Sequence, residues 1–315
     1  MNMIKKGLLA TAAAMTLGIG AMGSAYAATN ANSVLLIENF RLLKGVGGAA
    51  FSINDFSVLS GTNDAHVTAQ LNNTFSTDAG SVPILAGTGP TLGRVCVGVC
   101  PAGTATFAPV SYTGNFGSAA QSLDGTIIDL LTPPAGFAGA NARTRADAAT
   151  NSNMNIASGN SDVGTSTTFR FVMAAGTDMT FDFDATAYTD AAVSAGSSPT
   201  ANANARLSWS VNIVDTTDGS TVFSFAPAAL NQLSLRSATD TNPGTAPYNF
   251  SNHFGVAGDA ATASGLLAGR TYQLTIQHNT LANVLQEEEV PEPATLAITA
   301  VGLLGMTLVS RRRKS

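Results

Sequence analysis

Several segments alternate apolar and polar residues with a period of two, no long amphipathic helical stripe competes with them, and small polar turn residues separate them. Together these observations predict an all-β fold. Its form is an antiparallel β-sandwich with long polar loops, a jelly roll being one arrangement it can take, followed by one C-terminal transmembrane helix. The chain has 315 residues, 45% of them apolar and 11% charged, enough apolar surface for a core and too much for a disordered chain. One β-body over 28–286 is expected, because no clean linker divides it.

The N-terminus carries Lys5 and Lys6, an uncharged run from Gly7 to Met22, and then Ala25-Tyr26-Ala27. A short positive region, a brief run of small apolar residues and small residues at the cleavage positions describe a secretory signal peptide over 1–27. Ala25 and Ala27 would guide signal peptidase, and the mature chain would start near Ala28.

In the body, Ala65, Val67, Ala69 and Leu71 alternate with His66, Thr68, Gln70 and Asn72, and Ser33 to Ile37 is apolar enough for a buried strand. Phe169 and Phe171 share one face of a strand near 168–173. Phe181 and Phe183 share one face of another near 180–184, and these two strands are expected to pair. Leu207, Trp209, Val211 and Ile213 line one side of a strand over 206–215, Asp218-Gly219 turns the chain, and Phe223 and Phe225 return on one side of a second strand. Tyr272, Leu274 and Ile276 alternate with Thr and Gln in one of the clearest strands. Short helices are candidates only at 33–44 and 281–286. The segment 138–164, rich in Ala, Asn, Asp, Ser and Gly, reads as long surface loops or a crossover, and 87–93 as a turn.

Cys96 and Cys100 stand at the two ends of a five-residue segment, with Gly98 between them. In an oxidising compartment they would close a local disulfide, and the spacing is not that of a Cys-x-x-Cys redox pair. Three scattered histidines, His66, His253 and His278, offer no metal-ligand spacing. Among the acids, Asp182 and Asp184 project from one strand face and Asp215 and Asp218 bracket a turn. Either pair could help hold Ca²⁺, but neither follows an EF-hand pattern. No nucleophile elbow, metalloprotease helix or phosphate loop occurs, so no catalytic residue, cofactor or resident metal is expected and the body reads as non-catalytic. Tyr112, Tyr188, Tyr248 and Trp209 are the aromatics to inspect for sugar binding, Trp209 lying on the apolar face of its strand.

The end of the chain has three parts in fixed order. An acidic spacer, Glu287-Glu288-Glu289, leads into Val290-Pro291-Glu292-Pro293, an uncharged run spans 294–310, and Arg311, Arg312, Arg313 and Lys314 follow. Seventeen residues at about 1.5 Å each cover roughly 25 Å, near the lower limit for crossing a bilayer. The basic cluster at 311–315 would stop transfer and stay in the cytoplasm, which leaves the body on the outer side of the inner membrane. Without both ends, residues 28–293 hold nine Lys and Arg against twenty Asp and Glu, a net charge of −11. Such a body repels nucleic acid.

The tail resembles the PEP-CTERM sorting signal of Gram-negative bacteria, with Pro291, Glu292 and Pro293 at the motif position. That resemblance implies recognition by an exosortase, a membrane cysteine transpeptidase, transient inner-membrane anchoring, and delivery to the cell surface or the extracellular polysaccharide matrix. The motif residues are then a recognition site for another enzyme. Two functions follow as expectations: a structural or adhesive surface or biofilm-matrix protein associated with exopolysaccharide, or a carbohydrate-binding module of the envelope. An exposed aromatic row would favour the second.

Overall fold

The computed structural model describes residues 28–130, 139–151, 157–195, 197–240 and 246–286, with side chains in 157–163 excepted. The signal peptide, acidic spacer, sorting motif, transmembrane run and basic tail assigned above lie outside these residues. Among the described residues there is no α-helix, and no helix is long and apolar enough to cross a membrane.

Fourteen strands are described: β1 (Thr29–Lys44), β2 (Phe56–Leu71), β3 (Thr74–Pro83), β4 (Gly93–Gly98), β5 (Phe116–Asp124), β6 (Ala140–Thr150), β7 (Ala157–Met173), β8 (Thr177–Val193), β9 (Asn202–Asp215), β10 (Ser220–Phe225), β11 (Leu233–Ser237), β12 (Tyr248–Phe254), β13 (Thr262–Leu266) and β14 (Thr271–Gln286). They form two seven-stranded antiparallel sheets packed face to face, more strands than the eight of a jelly roll. Sheet one runs β12-β8-β1-β6-β5-β4, with β13 also on β8. Sheet two runs β10-β9-β14-β7-β2-β3, with β11 also on β9. The first strand is therefore central in one sheet and the last is central in the other.

Alternation places the core. Leu207, Trp209, Val211 and Ile213 of β9, and Tyr272, Leu274 and Ile276 of β14, all point inward. The hairpin between β9 and β10 forms through Asp218-Gly219, Gly219 having a φ of 78°.

Three sequence expectations are corrected. The strands carrying Phe169/Phe171 and Phe181/Phe183 do not pair: β7 lies in sheet two and β8 in sheet one, joined by the short crossing 174–176. Their phenylalanines enter one core from opposite walls, an arrangement that period-two patterning does not distinguish from a hairpin. The helices considered at 33–44 and 281–286 are strand throughout. In β1 the register slips between Ile37 and Phe40, where Asn39 takes a φ of 55°. This bulge moves the inward set from Leu35 and Ile37 to Phe40 and Leu42, so the apolar spacing imitates a helical i, i+3 step. Most of the expected loop at 138–164 is β6 and the first half of β7. Its inward side chains in β6 are Ala and Thr, too small to register as a core pattern.

The reason lies in how the interior is divided. At one end it is aromatic, with Phe40, Phe181, Phe183, Trp209, Phe225 and Phe254 within 4.7–6.3 Å of one or more of the others, centroid to centroid. At the other end it is lined by alanine, including Ala31, Ala119, Ala146, Ala148, Ala203, Ala205 and Ala282. Between the two lies a buried polar belt. His278 of β14 places Nε2 2.8 Å from Thr144 Oγ1 and 3.1 Å from the Leu35 carbonyl, both in sheet one. Thr189 and Ser234 meet across the sheets at 2.6 Å, Ser33 Oγ donates to the Leu281 carbonyl at 2.9 Å, and Thr167 donates to Asn63 at 2.7 Å within sheet two. The belt residues Asn63, Thr165, Thr167 and His278 line an interior cavity of about 40 Å³.

Burial pushes the His278 imidazole down to about 3, the Leu35 hydrogen bond opposing this only in part. The folded protein thus holds His278 neutral while the unfolded chain takes up a proton below about 6.5. The stability this contributes is complete above that pH and is lost as pH falls toward 3, at up to about 1.4 kcal/mol per pH unit. In urea titrations between pH 7 and 4.5, the wild type is expected to lose stability along this slope, and His278→Gln is expected to flatten it by close to one proton.

Candidate functional site

The two outer faces of the sandwich differ. That of sheet two is open and polar. Rows of register partners cross it, such as Ser210, Gln277, Ser166, Asp64 and Ser81, and the next row, Ser208, Asn279, Gly164, His66 and Ala79. Around Gly164 the face sinks into a shallow groove of about 660 Å³ lined by Asp64, His66, Ser166, Gln277 and Asn279 among others. Gly164 leaves room there for the His66 ring and the Asn279 amide, which a Cβ at that position would meet at 2.3 Å and 2.5 Å unless they moved aside. The floor of the groove offers hydroxyls, amides, one carboxylate and one imidazole.

The outer face of sheet one is partly roofed by the segment 99–115. The disulfide between Cys96 and Cys100 closes at the root of this roof, with a Cα–Cα distance of 6.3 Å. Gly98 takes a φ of 88°, and a Cβ there would lie 2.3 Å from the Asn115 carbonyl oxygen, so glycine lets the loop return against β5. The roof is pinned from below by Arg145 of β6, which is fully buried. Its Nη1 donates to the carbonyls of Ala108 (2.5 Å) and Thr106 (3.3 Å), and its Nη2 to that of Val110 (2.6 Å). The guanidinium also forms a two-point pair with Asp147, Nε to Oδ2 at 2.6 Å and Nη2 to Oδ1 at 2.7 Å, and lies 5.2 Å from the Tyr112 ring centre. Burial pushes the Asp147 carboxyl up, against the opposing pull of Arg145 and Asn32.

The acids and histidines singled out in the sequence are engaged. Asp182 pairs with Arg41 at 2.8 Å, and Asp184 accepts from Asn39 at 2.9 Å. His253 of β12 is far from both in sequence, yet its Nδ1 stands 2.9 Å from Asp184 and its Nε2 3.5 Å from Asp182. Hydrogen bonds from Asn39 and His253 hold Asp184 below the usual carboxylate range. Asp215 and Asp218 converge on Arg270, Asp215 at 2.5 Å. Asp218 is lowered to about 2, chiefly by its hydrogen bonds from Ser220 and then by Arg270. Neither pair presents free oxygens to a cation, and among the described residues no three His, Cys, Asp or Glu side chains are grouped as metal ligands. His66 lines the open groove, and His278 is in the core.

The aromatics form no exposed row. Trp209 is buried, Tyr112 packs its ring against the Arg145 guanidinium, half-buried Tyr188 stands 3.5 Å from Ser111, and the Tyr248 hydroxyl donates to the Ala229 carbonyl at 3.0 Å. Sequence reading missed the Arg145–Asp147 clamp. Its one signal was two opposite charges two residues apart, which reads equally well as a solvated strand face.

At the end of the sandwich lined by alanine, the start of β1 and the end of β14 meet, Thr29 Oγ1 donating to Gln286 Oε1 at 3.4 Å. Five residues beyond Gln286 comes Pro291. The described residues thus define a two-sheet β-sandwich protein whose C-terminal strand runs out toward a short tail. That tail matches the PEP-CTERM protein-sorting motif over residues 289–314. The chain carries this motif, which implies export, membrane-anchored sorting and processing by an exosortase. No curated protein matches the chain.

Removing Arg145 alone would strand the Asp147 carboxylate under the roof. Arg145→Met is expected to cost about 3–5 kcal/mol in chemical denaturation. It should also expose 99–115 to limited proteolysis, whereas the double variant Arg145→Met/Asp147→Leu is expected to recover much of the stability but not the protease resistance.

Proposed function

We propose that this protein is an exosortase-sorted surface or extracellular-matrix component whose sandwich body has a structural or adhesive role and performs no catalysis. The observation that carries this reading is the PEP-CTERM motif at 289–314, close after the last described strand of a two-sheet β-body. On this reading signal peptidase cleaves after Ala27, the run 294–310 holds the chain in the inner membrane, and Arg311 to Lys314 keep the tail end cytoplasmic until the exosortase acts on the Pro291-Glu292-Pro293 region. The body then joins the cell surface or the exopolysaccharide matrix of a Gram-negative bacterium. Two features support a non-catalytic body: both aspartate pairs are spent on ion pairs, and His278 is held neutral in the core, while the open groove around Gly164 presents mostly hydroxyl and amide side chains beside Asp64 and His66.

The alternative, an envelope carbohydrate-binding module, draws support from the groove around Gly164. The buried or tethered state of Trp209, Tyr112, Tyr188 and Tyr248 takes away the stacking platform it would most naturally use.

The deciding experiment is intact mass with cell fractionation in an exosortase-bearing host. Wild type is expected to begin near Ala28, to lose the segment after the motif and to appear outside the inner membrane. Pro291→Ala and Glu292→Ala are expected to retain Arg311 to Ser315 and stay membrane-bound. Identical retention in wild type and variants would reduce the tail to a plain anchor and remove the basis of the matrix reading.

A further inference from the structure

Beneath the 99–115 roof, one row of register partners crosses sheet one: Asp190 of β8, Asn32 of β1 and Asp147 of β6. All three are buried, Asp190 being 6% and Asn32 1% exposed. Directly opposed residues hold their Cβ atoms within about 5.5 Å of each other, so the three side chains share one small space. The Asp147 charge is matched by Arg145. Asp190 has no such partner, its hydrogen bond being from Ser111 Oγ to Oδ2 at 2.8 Å. Its other oxygen, Oδ1, is buried with no hydrogen-bond partner in the protein, and so is Oδ1 of Asn32.

The Asn32 amide cannot be turned to relieve this. Its Nδ2 donates to Asp147 Oδ1 at 2.6 Å, and exchanging nitrogen for oxygen would press two acceptors together at that distance. The amide oxygen is thereby fixed on the side away from Asp147, and Asp190 is the neighbour on the other flank of β1. Two buried, unsatisfied oxygens, one on an unmatched carboxylate, are costly unless something positive lies between them.

We propose that Asp190 Oδ1 and Asn32 Oδ1 are ligands of a hard cation, with Ca²⁺ the fitting probe, bound under the roof beside Ser111 and locking 99–115 onto sheet one. The donor set is all oxygen and contains one net negative charge, the chemistry such ions select. Water would complete the shell. The sequence-favoured pairs Asp182/Asp184 and Asp215/Asp218 are satisfied by arginine, histidine and asparagine, whereas this pair of oxygens is not. The charges around it are Arg145, Asp147 and, farther off, Arg94, with Tyr188 alongside.

The test uses the folded chain 28–286 fused to the rest of the exported protein, stripped with EDTA and then titrated with CaCl₂, MgCl₂, NaCl or KCl. A rise in Tm of about 5–10 °C is expected at a hundredfold excess of the bound cation over its Kd. Slower protease cutting within 99–115 is expected alongside it. Asp190→Asn, isosteric and uncharged, is expected to abolish both responses. Ser111→Ala, which removes the hydroxyl beside Asp190 and leaves the sheet intact, is expected to shift the titration midpoint to higher cation concentration. NaCl acting in place of CaCl₂, and lost in Asp190→Asn, would support the site with sodium as its ion. The proposal is overturned if no cation changes the wild-type Tm. It is equally overturned if Asp190→Asn keeps the full response.

Discussion

Hydrogen bonds that run from one sheet to the other govern this sandwich. Apolar packing alone is non-directional and allows two sheets to slide and rotate against each other. Here His278 reaches from β14 to Thr144 and the Leu35 carbonyl, and Ser33 and Thr189 make further ties. Each bond has a length and an angle to satisfy, and each lies where leaving it unmade would bury an unpaired polar atom. The belt therefore fixes the relative position of the sheets, and the aromatic and alanine halves fill what remains on either side.

This division also explains what was legible in the sequence. Strands that face the aromatic half announce themselves, because Phe169, Phe171, Leu207, Trp209, Leu274 and Ile276 stand out against Ser, Thr and Gln. Strands that face the alanine half do not, because Ala146 and Ala148, though flanked by Arg145 and Asp147, carry side chains too small to mark a buried face. The bulge at Asn39 obscured the continuation of β1 beyond Ile37 for a different reason, since one inserted residue changes the phase of the inward set. Partnership between strands was the least readable property, as β7 and β8 illustrate: periodicity tells which side of a strand is buried and not which sheet it joins.

The candidate sites divide along the same line. The tail motif was readable because it is a local string of residues with a meaning to another enzyme. The roof over sheet one was not, because it depends on Arg145, Asp147, Asn32 and Asp190 meeting from three strands. Charged residues on the outward face of a strand ordinarily read as solvated, and nothing local marks that a distant loop will cover them.

The position of β14 has a mechanical consequence. Its last residue, Gln286, is the last described residue before the tail, and β14 is flanked by β7 on one side and β9 on the other along nearly its whole length. A pull on the tail runs along the axis of this strand and loads two hydrogen-bond ladders in shear at once. An edge strand pulled the same way would load only one. A body attached through an inner strand therefore resists being drawn out through its tether, and tension on the tail meets a strand held on both sides.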